Sequence, residues 1–270
     1  MKKKYAVLYS KTNNIGDDIQ TLAAINFLKS KNITEFTYVS QCEMSEYDGD
    51  EIYLIMNGWF MHDLSTFPPS EKIIPIFISF HVAKPQLVTD NLEYFKKHEP
   101  IGCRDESTVT LFEHNNIKGY FTGCLTTTFN KSDKIKSSKK YLFDINNDLA
   151  PGLMNGNINL SDFEGFEEMT CHCAKINHTV EERMAAGRKM LDLYATADII
   201  ITSRLHVALP CRSLGTNCVF IHAQFDADKR FKGLDDILNG SSKYHHKYKA
   251  KKGSLEKIQK FFEEYKFRLI

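Results

Sequence analysis

The sequence predicts an α/β protein with mainly parallel sheets, divided into two domains. Short apolar runs such as ADIIIT (residues 197–202) have the length and isoleucine content of strands buried on both faces. Segments with helical spacing and capping residues lie between such runs. The alternation occurs on both sides of NKSDKIKSSKK (residues 130–140), whose lysines and serines read as an exposed interdomain linker. The expected division is therefore 1–130, a linker at 131–140, 141–252, and a closing helix at 253–270. At 270 residues, with 42% hydrophobic residues, the chain can bury a sizeable core.

Composition narrows the function. With 35 basic and 34 acidic residues, net charge gives a nucleic-acid role no support, and any anion site must be local. No segment is long enough to span a membrane. The start, MKKKYAVLYS, has too short an apolar run for a signal-peptide core. Seven cysteines without an export signal point to reduced thiols, so a cytoplasmic location is expected.

The first strand is expected over residues 5–10, and KTNNIG delivers the chain into a helix beginning near Asp17. Gly16 permits close backbone approach to a ligand, although one glycine is no dinucleotide fingerprint. Asp17 and Asp18 suit the positive end of that helix, and a ligand role for either stands open beside this reading. Residues 36–39, 52–56 and 74–79 read as three further strands. Trp59 and His81 fall at strand carboxyl ends, where both packing and ligand contact are open readings. Residues 100–104 lead into a helix over 106–114 and a strand over 119–122. This puts Arg104 at a strand-to-helix turn, where a surface salt bridge to Asp105 or Glu106 is the plain alternative.

Strands are expected again at 141–145 and 170–176. Thr179 and Glu182 fit a capping box that opens an amphipathic helix through about Tyr194. Cys171, His172, Cys173 and His178 suggest zinc only superficially. Adjacent strand positions point to opposite faces, and no second pair lies at ligand spacing, so no metal is assigned. His172, near a strand end, is expected to face a cleft. The strand at 197–202 is followed by a helix that Pro210 places near His206, because a first turn tolerates proline. Gly215 sits at its expected C-cap, before a strand at 218–221. Ser203, Arg204 and His206 thus occupy the carboxyl end of a buried strand and the amino end of a helix, a location that favours anions. The loop after Ile221 brings His222, Lys229 and Arg230 toward the same edge, as ligand contacts or as a solvated loop. Residues 254–269 have the apolar spacing of the closing helix.

Three stretches carry a resemblance: NNIGDDIQTLAA, IGCRDESTVTLFEHNNIKGYFTGCLTTTF and ADIIITSRLHVALPCRSLGTNCVFI. Each looks like a segment of the polysaccharide pyruvyl transferase family, and together they are spread over most of the chain. The resemblance implies two Rossmann-like domains in a GT-B-like arrangement. It further implies transfer of pyruvate from phosphoenolpyruvate onto a sugar as a ketal. On that basis His206 is the expected acid/base. Arg104, Arg204, Leu205, Gly16 and Asp17 are expected at the donor, and Trp59, His81, His172 and Lys229 at the acceptor. Phosphoenolpyruvate serves as co-substrate and no resident cofactor is expected. One departure is visible: Asn57, Gly58 and Trp59 stand where many relatives have a glycine-rich turn. A GT-B glycosyltransferase would instead want an acidic residue near a ribose, for which Asp226 and Asp228 are the candidates. A non-catalytic sugar- or nucleotide-binding protein is the third reading.

Overall fold

The structure, a computed structural model, describes residues 3–60, 63–145, 163–173, 178–222, 224–238 and 260. It is a mixed α/β fold with two sheets whose strand pairings are all parallel. The first contains β1 (Tyr5–Tyr9), β2 (Thr37–Ser40), β3 (Ile52–Phe60), β4 (Ile73–Val82), β5 (Ile101–Cys103) and β6 (Gly119–Phe121), in the order β2-β1-β3-β4-β5-β6. The second contains β7 (Lys140–Phe143), β8 (Phe166–Met169), β9 (Ile199–Thr202) and β10 (Asn217–Phe220), in the order β10-β9-β7-β8.

Each order reverses direction once. In the first sheet the chain goes from β1 to β2 on one side and then returns to β3 on the other. In the second, β8 and β9 flank β7. The crevice outside the carboxyl ends at such a reversal is where open parallel sheets bind ligands. Here the two crevices are β1/β3 and β7/β9, and one apolar core runs beneath both. Val7, Ile55 and Ile78 of the first sheet belong to the same buried cluster as Phe143, Ile200 and Cys218 of the second. Helix α1 (Ile15–Ser30) fills that cluster with Ile19, Ala23 and Phe27. It packs on α5 (Val180–Thr196), which opens with the expected capping box at Thr179 and Glu182. A buried ion pair crosses this contact: Arg183 Nε donates to Asp18 Oδ1 at 2.8 Å, and its Nη2 donates to the Thr12 carbonyl at 2.7 Å. The outer face of the first sheet is covered by an aromatic cluster that includes Phe60, Phe67, Phe80, Phe95 and Phe112.

Most expected elements are present with small shifts. Helix α4 occupies Glu106–His114, while β3 and β4 continue past their expected ends to include Trp59 and His81. Two short helices, α2 (Gln86–Thr89) and α3 (Leu92–Lys97), were not anticipated. Two corrections have physical causes. The strand expected over 170–176 is found earlier, at β8, a partly exposed edge strand in which Glu167 and Glu168 face solvent. Cys171 and Cys173 therefore lie beyond the strand, and the alternating-face argument does not apply to them. Helix α6 (Leu205–Leu214) starts where expected, but Pro210 is in its interior rather than its first turn. Proline cannot donate to the carbonyl four residues back, that of His206, and the helix breaks there, with His206 at φ −87°, ψ 17°. Gly215 ends the helix in the left-handed region, at φ 75°. A last short helix, α7, spans Asp235–Leu238. The expected closing helix lies outside the described residues apart from Lys260, which is helical.

Candidate functional site

The two crevices meet in one cavity of about 240 Å³, lined by Gly16, Asp17, Trp59, Arg104, Arg204, Leu205 and His206 among others. One wall comes from the first sheet. Arg104 follows β5 and is held by its N–H to the Phe80 carbonyl at 2.9 Å. It is buried rather than the surface arginine of the plain reading. Its Nε has no hydrogen-bond partner among the described residues and lies 3.7 Å from Asp105 Oδ2. Asp105 is already engaged as the N-cap of α4. It accepts from the Thr108 N–H at 3.0 Å, the Thr108 hydroxyl at 2.9 Å, the Ser107 hydroxyl and His81 Nδ1. Burial, with Arg104 nearby, pushes the His81 pKa down to about 4, so the ring is neutral and its Nδ1–H donates to Asp105. Although burial opposes ionisation of Asp105, these hydrogen bonds and Arg104 hold its carboxyl below the ordinary value. Arg104 thus presents a desolvated cation whose neighbouring carboxylate is occupied elsewhere.

The other wall comes from the second sheet. Ser203 donates to the Asp144 carbonyl at 2.7 Å, and Arg204 Nε donates to Asp144 Oδ2 at 3.1 Å. Arg204 Nη2 also lies 3.0 Å from His172 Nε2. Asp144 follows β7 in the left-handed region, at φ 48°, which is costly for a residue with a Cβ and is tolerated best by Asn and Asp. Its carboxylate also accepts the Cys171 N–H at 2.9 Å.

The loop before α1 joins the walls. The Ile15 N–H donates to the Cys171 carbonyl at 2.9 Å and the Cys173 N–H to the Asn13 carbonyl at 2.7 Å, with Asn14 bridged to His172. Asn14 caps α1 by accepting the Gly16 N–H. Gly16 admits a protein neighbour rather than open space, since a Cβ there would sit 3.1 Å from His206 Cβ. Asp17 lines the cavity while accepting from Thr12 and Gln20. His206 therefore stands against the α1 N-terminus at the helix break, and its buried Nε2 has no hydrogen-bond partner among the described residues. Burial first, then the charges of Arg104 and Arg230, drive its pKa well below the ordinary value. Burial thus favours the neutral ring, and negative charge brought beside it would favour protonation.

The remaining expected residues divide. His172 lines an adjoining cavity with Trp59 and Arg204. His81 stands behind Arg104 as the partner of Asp105 and lines neither cavity. Lys229 lines neither, whereas its neighbour Arg230 does reach the inner one. Arg230 forks onto Asp228, and its guanidinium carbon lies 5.8 Å from the Trp59 ring centroid. Asp144 was missed entirely, since nothing in its sequence neighbourhood marks a left-handed turn. Among the described residues no group of three or more His, Cys, Asp or Glu is placed to hold a metal ion, and no helix is long and apolar enough to cross a membrane.

No curated protein matches the chain. The crystal structure of an uncharacterized protein from Klebsiella pneumoniae subsp. pneumoniae NTUH-K2044 is similar in fold, with a TM-score of 0.52 and 16% identity over 85% of this chain and 87% of that one. The family model described as polysaccharide pyruvyl transferase matches residues 14–222, from the Asn14 cap to His222 and so across both walls of the cavity. The chain belongs to the polysaccharide pyruvyl transferase family.

Proposed function

We propose that the protein transfers the pyruvyl group of phosphoenolpyruvate onto a sugar as a ketal, using the inner cavity as the donor site. The observation that carries this reading is the convergence of Arg104, Arg204 and Arg230 with His206, whose Nε2 has no hydrogen-bond partner among the described residues, in one small cavity at a helix N-terminus. Phosphoenolpyruvate brings about two to three negative charges near neutrality, spread over a carboxylate and a phosphate. Arginines suit both groups because the guanidinium fork pairs with each in two-point fashion. Gly16 and Leu205 contribute backbone and shape, and Asp17 borders the donor. The two sheets then act as the halves of a GT-B-like, two-domain arrangement, residues 1–130 and 141–252, with the donor between them.

Proton accounting follows from the neutral histidine. The donor anion offsets the cationic field of Arg104 and Arg230 and raises the His206 pKa, so His206 takes up a proton as the anion binds. It gives that proton to the methylene carbon while the carbon–carbon double bond opens and positive charge grows on the central carbon. The first sugar hydroxyl bonds to that carbon and returns its proton to His206. A second hydroxyl then displaces phosphate, and its proton leaves with the phosphate. Two C–O bonds form, one C–O bond to phosphate breaks, and His206 ends as it began.

The alternative of a nucleotide-sugar glycosyltransferase finds weaker support, since Asp228 is engaged by Arg230. The test is incubation with phosphoenolpyruvate and a panel of galactose- and mannose-type acceptors, reading phosphate release. Release that requires both substrates supports the reading. Absence of release, together with thermal stabilisation by a nucleotide sugar and none by phosphoenolpyruvate, overturns it.

A further inference from the structure

The two oxygens of the Asp105 carboxylate have different partners. Oδ1 is given to α4, where it accepts the Thr108 N–H, the Thr108 hydroxyl and the Ser107 hydroxyl. Oδ2 accepts from His81 Nδ1 and lies 3.7 Å from Arg104 Nε. We infer that His81 is a positioning residue for the donor: by occupying Oδ2 it keeps Asp105 from closing onto Arg104, so that the guanidinium stays available to the phosphoenolpyruvate anion. The inference rests on the donor reading above and adds how the most buried cation of that site is kept open.

Competition for one oxygen is the first argument. A hydrogen bond from Nε to Oδ2 forms near 2.9 Å, so a closure of less than about 1 Å would turn the present near contact into a charge-assisted bond. Arg104 and Asp105 are both buried, and such a pair would have to be broken by any incoming anion. His81 removes the competitor without touching the donor, since it lines neither cavity. Its ring is held neutral by burial and by Arg104, which leaves Nδ1–H as a standing donor.

The construction of the strand ends is the second argument. Strands β3 and β4 pair regularly as far as Met56 and Phe77, then slip, so that Gly58 meets Phe80 and Trp59 meets His81. Gly58 has φ 128°, and Ser79, two residues before His81, has φ 57°, which is costly for a side chain with a Cβ. Ser79 is held there on three sides. Its N–H donates to Thr122 Oγ1 at 3.0 Å, its hydroxyl donates to the Gly123 carbonyl at 2.9 Å, and it accepts the Leu125 N–H at 2.9 Å. An irregularity of this kind re-aims the side chains that follow it. The backbone on either side of His81 is then tied to its targets: the Phe80 carbonyl accepts the Arg104 N–H at 2.9 Å, and the Val82 N–H donates to Thr108 Oγ1 at 3.4 Å.

The ring itself is the third argument. All its polar contacts among the described residues are made through Nδ1, to Asp105 and Thr108, while the buried Nε2 has no hydrogen-bond partner there. A residue serving only to fill this space would do so at less cost as an apolar side chain, because an unsatisfied buried nitrogen is unfavourable. The contact to Asp105 is what a histidine adds.

The test is calorimetric titration of phosphoenolpyruvate into the full-length wild type, His81→Asn, His81→Met, Asp105→Asn and the double variant His81→Met/Asp105→Asn, each first shown to be folded by thermal melting. His81→Met removes the N–H at similar bulk and should weaken binding about tenfold or more, the scale of a charge-assisted bond that the anion must now displace. His81→Asn keeps an N–H toward Asp105 and should stay within about threefold of wild type. Asparagine caps a helix as well as aspartate does but lacks the charge that competes for Arg104. In the His81→Met chain Asp105→Asn should therefore restore affinity to within about threefold of wild type, and alone it should leave binding unchanged or tighter. A packing role predicts the reverse, with Asn and Met weakening binding alike and the second substitution adding to the loss. That pattern, or wild-type affinity in His81→Met, overturns the inference and leaves the donor reading intact. Where His81→Met does not fold, Asp105→Asn decides by itself: binding weakened about tenfold overturns the inference, and unchanged or tighter binding supports it. Wild-type protein that binds no phosphoenolpyruvate overturns the donor reading and the inference with it.

Discussion

The two walls of the cavity hold an arginine each and treat it differently. Arg104, on the first-sheet wall, has a side chain 3% exposed, and the carboxylate nearest it is bound by His81, Ser107 and Thr108. Arg204, on the second-sheet wall, is 42% exposed and already donates to Asp144 while touching His172. One wall is preorganised for an anion at the cost of a desolvated cation. The other must exchange existing partners for the ligand. Preorganised charges contribute more to binding than charges that must first be freed, so the walls should differ in what their removal costs.

The largest expected effect falls on the tie that sets the walls against each other. Burial pushes the Asp18 pKa up to about 7 even with Arg183 against it, so neither partner is comfortable alone. Arg183→Met should cost about 3–5 kcal/mol of unfolding free energy, measured by urea denaturation, and Asp18→Leu in the same chain should recover much of it. A loss below 1 kcal/mol would mean the halves are held by the shared apolar core alone.

Next is the chemistry, located where the walls meet. His206→Ala should lower turnover by about 10²-fold or more while leaving phosphoenolpyruvate affinity within a small factor. Phosphate release beside calorimetry checks this, and normal turnover would reduce His206 to a packing residue at the helix break. Smaller, and aimed at the comparison itself, is the pair of arginine variants. Both Arg104→Ala and Arg204→Ala should weaken the donor by about 1.5–3 kcal/mol, roughly ten- to a hundredfold, with Arg104 toward the upper limit. A larger loss at Arg204 would break the distinction between a preorganised wall and an exchanging one.

The smallest effect is a pH dependence of stability. His81 is held near 4 when folded and returns to about 6.5 when unfolded, so the unfolded chain binds the extra proton between those values. Its contribution is therefore present above pH 6.5 and is lost as pH falls toward 4. Between pH 6.5 and 5 this should remove about 1–2 kcal/mol, and His81→Asn, which keeps a donor toward Asp105 but does not titrate, should flatten that slope in urea titrations. An unchanged slope would exclude His81 as its source.

How much of this was legible in the sequence also differs between the walls. The strand, turn and helix around Arg204 and His206 are marked locally by an isoleucine run, Pro210 and Gly215, and their placement survived with only a shift of Pro210 into the helix. The turn at Arg104 was equally local. The His81–Asp105 contact joins residues 24 apart in sequence, and only the folded sheet brings them together. Asp144 carries a backbone conformation that sequence does not announce, and β8 is an edge strand whose glutamates hide it beside the more apolar residues that follow. The difference between Arg204 and Arg104 was also invisible, because burial depends on what packs around a turn and not on the turn itself.

The central claim is that both walls hold one phosphoenolpyruvate together, and a double-mutant cycle tests it most directly. Phosphoenolpyruvate would be titrated calorimetrically into the wild type, Arg104→Ala, Arg204→Ala and the double variant. Groups that share a ligand are coupled, so the account predicts measurable wild-type binding and a non-additive cycle, with a coupling of about 0.5–3 kcal/mol. Wild-type protein that binds no phosphoenolpyruvate, or binding that neither substitution weakens, would contradict it.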